Sequence, residues 1–576
     1  MARKITRRPK PKLSPAEKAQ NKARRDHIKR VRATFRNLGF ERHGELADRA
    51  FIFDGQQGDY DDVFSYENIV LTVEYTSTRE SAKVGNHLRT KKVLYDKIAA
   101  NKGDFIKLLR GMSDSLDSSL KAYHETQLEY STIYAALYDF DESHRRNIPV
   151  PVYLDYPALR YFQSVSEAIE RSALTEFLTF VGIAPDRIGK GGVLGVALPS
   201  HTYSGSALPE AHSGYPNGYK VVTFYADPKS VLERAYVLRR DGWRESDNLY
   251  QRMVSKAKIS SIRSYLKERR RVFVNNIVVT LPVDTEILGS DRKVLDPASI
   301  TRTTAVSLRL PQRADSVGLV DGQHRVFAYF EGVKDEPLIA SMRSQQNLLV
   351  TGIIAPTNMS PLAKEQFEAR LFLEINSNQT SAKSELKHAI NLVLDPFAPS
   401  SIATRVLSGL ASRGPLAGKI ERYFFDENRL KPTSIVSYGL QPLVRLDSDE
   451  SLFKIWREPR KLELTLSGSK RSLDLLREYV EFCVSKINEF LQAVRENISN
   501  QRWTADKKVP DRILTTAALN AFLILMRLNI RNKKPVGQSA VTSKLGHLET
   551  FDWGKFHSSQ YARAAQQLYD QMQRSD

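Results

Sequence analysis

The sequence predicts a multidomain protein of the α/β and α+β classes, on three observations. Its 576 residues suffice for three or four domains of ordinary size, each able to bury its own core. Up to about Pro399, runs rich in β-branched residues alternate with stretches of helical spacing. From about Ser400 onward, helical spacing dominates.

Four sections follow from this pattern: 1–37, 38–212, 219–399 and 400–576. The first is a basic arm running into a helix. Ser14-Pro15 with Glu17 three residues after the serine is a helix-start signal, the spacing predicts a helix to Leu38, and Gly39 ends it. The second section reads as a strand near Ile69 to Thr76 and helices near Val84 to Ala99 and Ser164 to Thr179. The stretch from Gly191 to Gly218, rich in Gly, Ser and Pro, reads as a linker. In the third section an apolar strand, Val317 to Val320, meets an Asp-Gly turn and then a helix. The fourth holds helices over Ser472 to Ile498 and Arg512 to Ile530.

Composition excludes several classes. One cysteine, Cys483, forms no internal disulfide and no thiolate zinc cluster, so a reducing compartment, the cytoplasm, is expected. The N-terminus lacks the apolar core of a signal peptide. The most apolar stretch, Ala517 to Ile530, is interrupted by Asn520 and Arg527 and is too short for a bilayer, so no membrane partner is expected. The net charge of +20 is unevenly spread. Residues 1–36 hold fourteen Lys or Arg against Glu17 and Asp26, which gives 14 − 2 = +12 and leaves 20 − 12 = +8 for the rest. Such an arm releases counterions from a phosphate backbone, which points to a nucleic acid as partner, DNA first and RNA as an alternative that charge does not exclude. The competing reading is a solvated tail without a partner.

The most specific constellation is Asp321-Gly322-Gln323-His324-Arg325. A strand-to-helix turn places backbone amides after Gly322 where an anion is favoured, and Gln323, His324 and Arg325 add donors. Asp321 is available to a metal ion or a water. The plain alternative is a helix cap at Asp321 with Arg325 as surface charge. These five residues match the DGQHR signature and resemble the phosphate-binding motif of ParB-like nucleotidases. Two further blocks agree: Tyr250 to Leu281, and Phe372 to Thr380 with its Ile375-Asn376 and Gln379. The resemblance, to the DndB-like DGQHR family, covers about 180 residues. It implies a ParB/sulfiredoxin-like domain that binds DNA, a nucleoside triphosphate or both, with Asp321, Gly322, Gln323, His324, Arg325, Asn376 and Gln379 as nucleotide- or phosphate-binding residues. Capping of a helix from Ser381 to Val393 is the alternative role for Asn376 and Gln379.

A second pattern runs from Gly58 to Thr76. Two β-rich runs meet at a Glu67-Asn68 turn, so that Asp62 and Glu74 lie near the ends of a hairpin and are candidates for one Mg²⁺. This resembles the restriction-endonuclease-like PD-(D/E)xK core, with Leu38-Gly39-Phe40 before it. The lysine expected two residues after the glutamate is Thr76 here. A cation must then come from the next helix, where Lys83, Lys91, Lys92 and His87 are available; Asp62, Glu74 and Lys83 form the expected catalytic set. His124, His201 and His212 are isolated, without ligand spacing.

The expected function is a DNA-binding DGQHR protein with a metal-dependent nuclease or nucleotide hydrolase activity, acting in phage defence (restriction) or DNA modification. The rival is a non-enzymatic, DndB-like transcriptional regulator. Oligomeric state stays open, a homo-oligomer among the alternatives.

Overall fold

The computed structural model describes residues 14–574 except 139–141, 190–201, 240–242, 244–252, 297–298, 312, 378–391, 393–394, 424–425, 467–470 and 557–559. The chain is mixed α/β and divides into two compact units, one of residues 1–245 with 251–364 and one of 246–250 with 365–576.

The first unit opens with helix α1, Pro15–Leu38. Ser14 caps it as expected: its Oγ accepts from Glu17 N at 3.2 Å, and Glu17 Oε2 accepts from Ser14 N at 2.8 Å. Gly39 ends it at φ 100°, a conformation that favours glycine. Strands β1 (Glu41–Arg42), β2 (Phe51–Phe53), β3 (Gln56–Gly58), β4 (Asp62–Tyr66), β5 (Ile69–Thr76), β6 (Glu129–Ala136) and β7 (Val152–Leu154) follow. Helices α2 (Ser81–Ala100), α3 (Lys102–Met112) and α4 (Asp114–Leu120) separate β5 from β6. The five-stranded sheet has the order β1-β4-β5-β6-β7, while β2 and β3 form a separate ribbon. Strands β4 and β5 are an antiparallel hairpin; β5, β6 and β7 run parallel.

Both faces of this sheet are covered, which is why β5 is buried nearly throughout. On one face Leu71 and Val73 pack with Val31 and Phe35 of α1. On the other Val70 and Tyr134 pack with Leu88 and Tyr95 of α2.

The remaining strands, β8 (Thr202–Leu208), β9 (Lys220–Ala226), β10 (Ala235–Tyr236), β11 (Ile277–Leu281), β12 (Glu286–Leu288), β13 (Thr304–Arg309), β14 (Val317–Asp321) and β15 (Leu348–Ile354), build one eight-stranded sheet. Its order is β10-β14-β11-β15-β9-β8-β13-β12. Two expectations are corrected here. Residues 202–208 are not linker: β8 pairs with β9 and β13, so the boundary at 212 falls between two strands of one sheet. Its small residues are there for close approach, since a Cβ on Gly205 would run into the Thr223 carbonyl oxygen.

The helix expected over Ser164 to Thr179 is two helices, Tyr156–Ile169 and Leu174–Val181. The break has a purpose in packing. Glu170 turns left-handed at φ 41°, its Oε2 accepts from Val333 N at 2.8 Å, and Ser172 Oγ accepts from Glu331 N at 2.9 Å. The segment after the DGQHR helix is thus pinned to the helices that back the first sheet, and one core runs through both sheets.

The second unit is mostly helical. Its core gathers residues of the helices Pro399–Ser412, Leu473–Glu496, Thr516–Arg531 and Tyr561–Arg574, with Cys483 fully buried among them. Among the described residues no helix is long and apolar enough to cross a membrane.

Candidate functional site

The hairpin register decides which carboxylates meet. Its turn is the two residues Glu67 and Asn68, so Tyr66 faces Ile69 and Asp62 faces Val73. Side chains alternate between faces along a strand, so Asp62 and Glu74 lie on opposite faces of the sheet. Asp62 belongs to the α1 side. Its Oδ2 accepts from Arg32 Nε at 2.7 Å and Tyr75 Oη at 2.7 Å, and its Oδ1 from Arg32 Nη2 at 3.0 Å and Arg42 Nε at 2.5 Å. With no exposed surface and four donors around it, this carboxylate is structural and has no lone pair left for a metal. The expected Asp62–Glu74 metal pair does not form.

Glu74 points to the α2 side. Residues four apart on a helix share a face, and His87, Lys91 and Tyr95 occupy three such positions of α2. Lys91 Nζ lies 3.2 Å from Glu74 Oε1 and 2.8 Å from Asp59 Oδ1, and His87 Nε2 lies 3.3 Å from Glu74 Oε2. Lys83 does not take part: it is exposed and pairs with Glu80 at 2.7 Å. Of Lys83, Lys91 and Lys92 on α2, Lys91 is the one that pairs with Glu74.

Glu74 is 2 % exposed, and neither carboxylate oxygen has a well-formed hydrogen bond. Burial pushes its pKa up to about 7, against the pull of Lys91. Asp61, the residue one step before β4, is the second acid at this end of the hairpin. Its Oδ2 accepts from Tyr75 N at 2.8 Å, and burial raises its pKa, with Asp48 and Asp62 adding and Arg24 opposing. Asp61 in turn disfavours the Glu74 anion. Burial lowers the pKa of His87, with the Lys91 charge assisting, so its imidazole is neutral near pH 7. Burial works against the Lys91 charge, but Glu74 and Asp59 outweigh it.

Among the described residues no group of three or more His, Cys, Asp or Glu is arranged to hold a metal ion. A smaller protein contribution fits the donors present. Two acids with raised pKa values, one of them the buried Glu74 with Lys91 and His87 as its neighbours, form a locus whose desolvation a divalent cation would relieve. Sequence reasoning missed Asp61, although a two-residue turn at Glu67-Asn68 already pairs positions summing to 135 and so puts 61 opposite 74.

The DGQHR turn takes the expected form: β14, then Gly322 at φ 98°, then the helix Gln323–Phe327. The positive φ favours glycine here, and a Cβ would come within 2.6 Å of Ile277 Cδ1, which would have to shift. Arg325 Nη2 donates to Asp321 Oδ2 at 2.7 Å, so the two charged groups of the motif hold each other. His324 Nε2 accepts from Ser255 N at 3.0 Å, tying the turn to the start of the helix Lys256–Arg269. Burial, with Lys258 and Arg239 nearby, lowers the His324 pKa to about 4 and keeps the ring neutral. Gln323 is buried. Asn376 lies in the last turn of the helix Pro361–Ser377 and belongs to the second unit. Gln379 and residues 381–391 lie outside the described residues.

Compared with protein-family models, curated proteins and solved structures, the chain matches none. The two resemblances therefore rest on the motif residues themselves.

Proposed function

We propose that the protein is a cytoplasmic, DNA-binding DGQHR protein whose first sheet carries a divalent-cation-dependent nuclease site, acting in phage defence or DNA modification. Glu74 carries the reading: a buried carboxyl beside Asp61, with Lys91 at 3.2 Å and His87 at 3.3 Å aimed at it from α2. The antiparallel β4–β5 hairpin followed by parallel strands supports the same reading.

Asp61 and Glu74 would hold Mg²⁺ or Mn²⁺, water and a phosphate oxygen completing the shell. Such a cation, when bound, polarises a phosphodiester and acidifies a bound water. Lys91 supplies the positive charge that a phosphorane-like transition state needs. His87, neutral, offers Nε2 beside Glu74 to take a proton from water. The DGQHR turn would bind a nucleoside triphosphate or a DNA phosphate through Arg325 and the amides after Gly322.

The test compares the unmutated protein with Glu74→Gln on modified and unmodified duplex DNA, with Mg²⁺ or Mn²⁺ and added nucleotide. Cleavage lost in Glu74→Gln supports the site, and cleavage that survives it removes Glu74 from the chemistry. The second reading is a DndB-like regulator without catalysis. It is favoured by the sequestration of Asp62, which leaves only two carboxylates where three would make a firm site. Absence of both cleavage and metal binding under every condition decides for the regulator.

A further inference from the structure

We infer that the outer stripe of α1 is the dock for the phosphate backbone of duplex DNA. The inference rests on the DNA-binding reading above and names the surface that does the binding.

Helix α1 divides into two parts. From His27 to Leu38 it buries His27, Val31, Thr34, Phe35 and Leu38 against the unit. From Pro15 to Asp26 its described side chains are exposed except Ala23, which is half-buried, and after Pro15 none is apolar and larger than alanine. This half has no face with which to pack. It is held by the Ser14–Glu17 capping box and by residues of high helix propensity.

At 3.6 residues per turn, Lys18, Lys22, Arg25, Lys29 and Arg36 fall within about 40° of one line along the helix. The buried residues centre on the far side. All five are exposed, and among the described residues the side chains of Lys18, Lys22, Arg25 and Lys29 make no hydrogen bond or ion pair. Unpaired cations at one-turn spacing on an otherwise featureless helix repel one another and gain nothing from the fold. A polyanion is the partner that makes them favourable. The stripe is about 27 Å long, the rise of about eight base pairs.

Further along the helix Arg32, off the stripe, is paired with Asp62 at 2.7 Å, so the stripe cations are the ones left without a protein carboxylate.

The experiment uses full-length protein, EDTA to suppress cleavage, and a fluorescent duplex of about 20 base pairs, over a series of salt concentrations. Three proteins are compared: the parent, the stripe variant (Lys18→Ala, Lys22→Ala, Arg25→Ala, Lys29→Ala), and a control losing four exposed cations elsewhere (Lys102→Ala, Lys107→Ala, Lys121→Ala, Lys508→Ala). Alanine preserves helicity, which circular dichroism checks. The stripe variant is expected to lower the slope of log K against log salt by about three to four, and the control to leave it near the parent value. A stripe variant with the parent's slope overturns the inference while leaving DNA binding intact. Equal losses in stripe variant and control overturn it in favour of net charge alone. A parent that binds no duplex removes the DNA-binding reading and the inference together.

Discussion

At Glu74 burial favours the proton and Lys91 favours the anion, and burial wins: the pKa stands at about 7 against an ordinary 4.5. The sign for stability follows. Below pH 4.5 the carboxyl is protonated in both folded and unfolded chains and contributes no difference. Between 4.5 and 7 only the unfolded chain ionises, so stability falls as pH rises, and above 7 the penalty is complete. Glu74→Gln is therefore expected to unfold at higher denaturant than the parent near pH 8, by up to about 3 kcal/mol, and to lose that advantage near pH 4. Because a cation must displace this proton, Mg²⁺ or Mn²⁺ affinity in the parent should rise with pH up to about 7 and then level off, as calorimetry would read. Asp62 predicts the opposite pattern. Asp62→Ala strips the shared acceptor from Arg32, Arg42 and Tyr75 and should cost about 3 kcal/mol in denaturation, without weakening metal binding by the folded protein. The two acids were legible in the sequence as a pair, but their opposite facing was not. Spacing gives the distance along a hairpin; parity gives the face, and parity changes with one residue in the turn.

The strand-turn-helix element around Gly322 is the best-read piece of the sequence. An apolar strand, an Asp-Gly step and packing residues at Val326, Ala328 and Tyr329 leave few other local structures, and all three are buried. What the sequence hides is that Asp321 and Arg325 satisfy each other. A phosphate must compete with Asp321 for the guanidinium, so Asp321→Asn is expected to tighten phosphate or nucleotide binding several-fold in calorimetry, and Arg325→Ala to abolish it. Tighter binding is the discriminating result, because a metal-bridged nucleotide would weaken instead. Gly322→Ala should destabilise the unit by about 1–3 kcal/mol, read as a lower melting temperature, since both the positive φ and Ile277 oppose a methyl group. Strand β5 was legible for a related reason: its eight residues are largely β-branched or aromatic, and they match the expected span from Ile69 to Thr76. Strand β8 was not, because its Ser, Gly and Ala look like linker until the neighbouring strand that demands small side chains is known.

The molecule as a whole is two units with separate cores, and its single thiol sits in the second. Burial pushes the Cys483 pKa far up, so a thiol reagent should label it at least about 100-fold more slowly than a free thiol until the second unit opens. Substitutions such as Asp62→Ala, which weaken the first unit, should leave that rate unchanged. The same sealed sulfur gives this chain a blank chemical background. A cysteine introduced at Ile52, which is 70 % exposed on the β2–β3 ribbon, would be the only one a maleimide dye reaches in the native protein. No native residue would need to be removed first, so a fluorophore beside the hairpin could follow DNA arrival in otherwise unaltered protein.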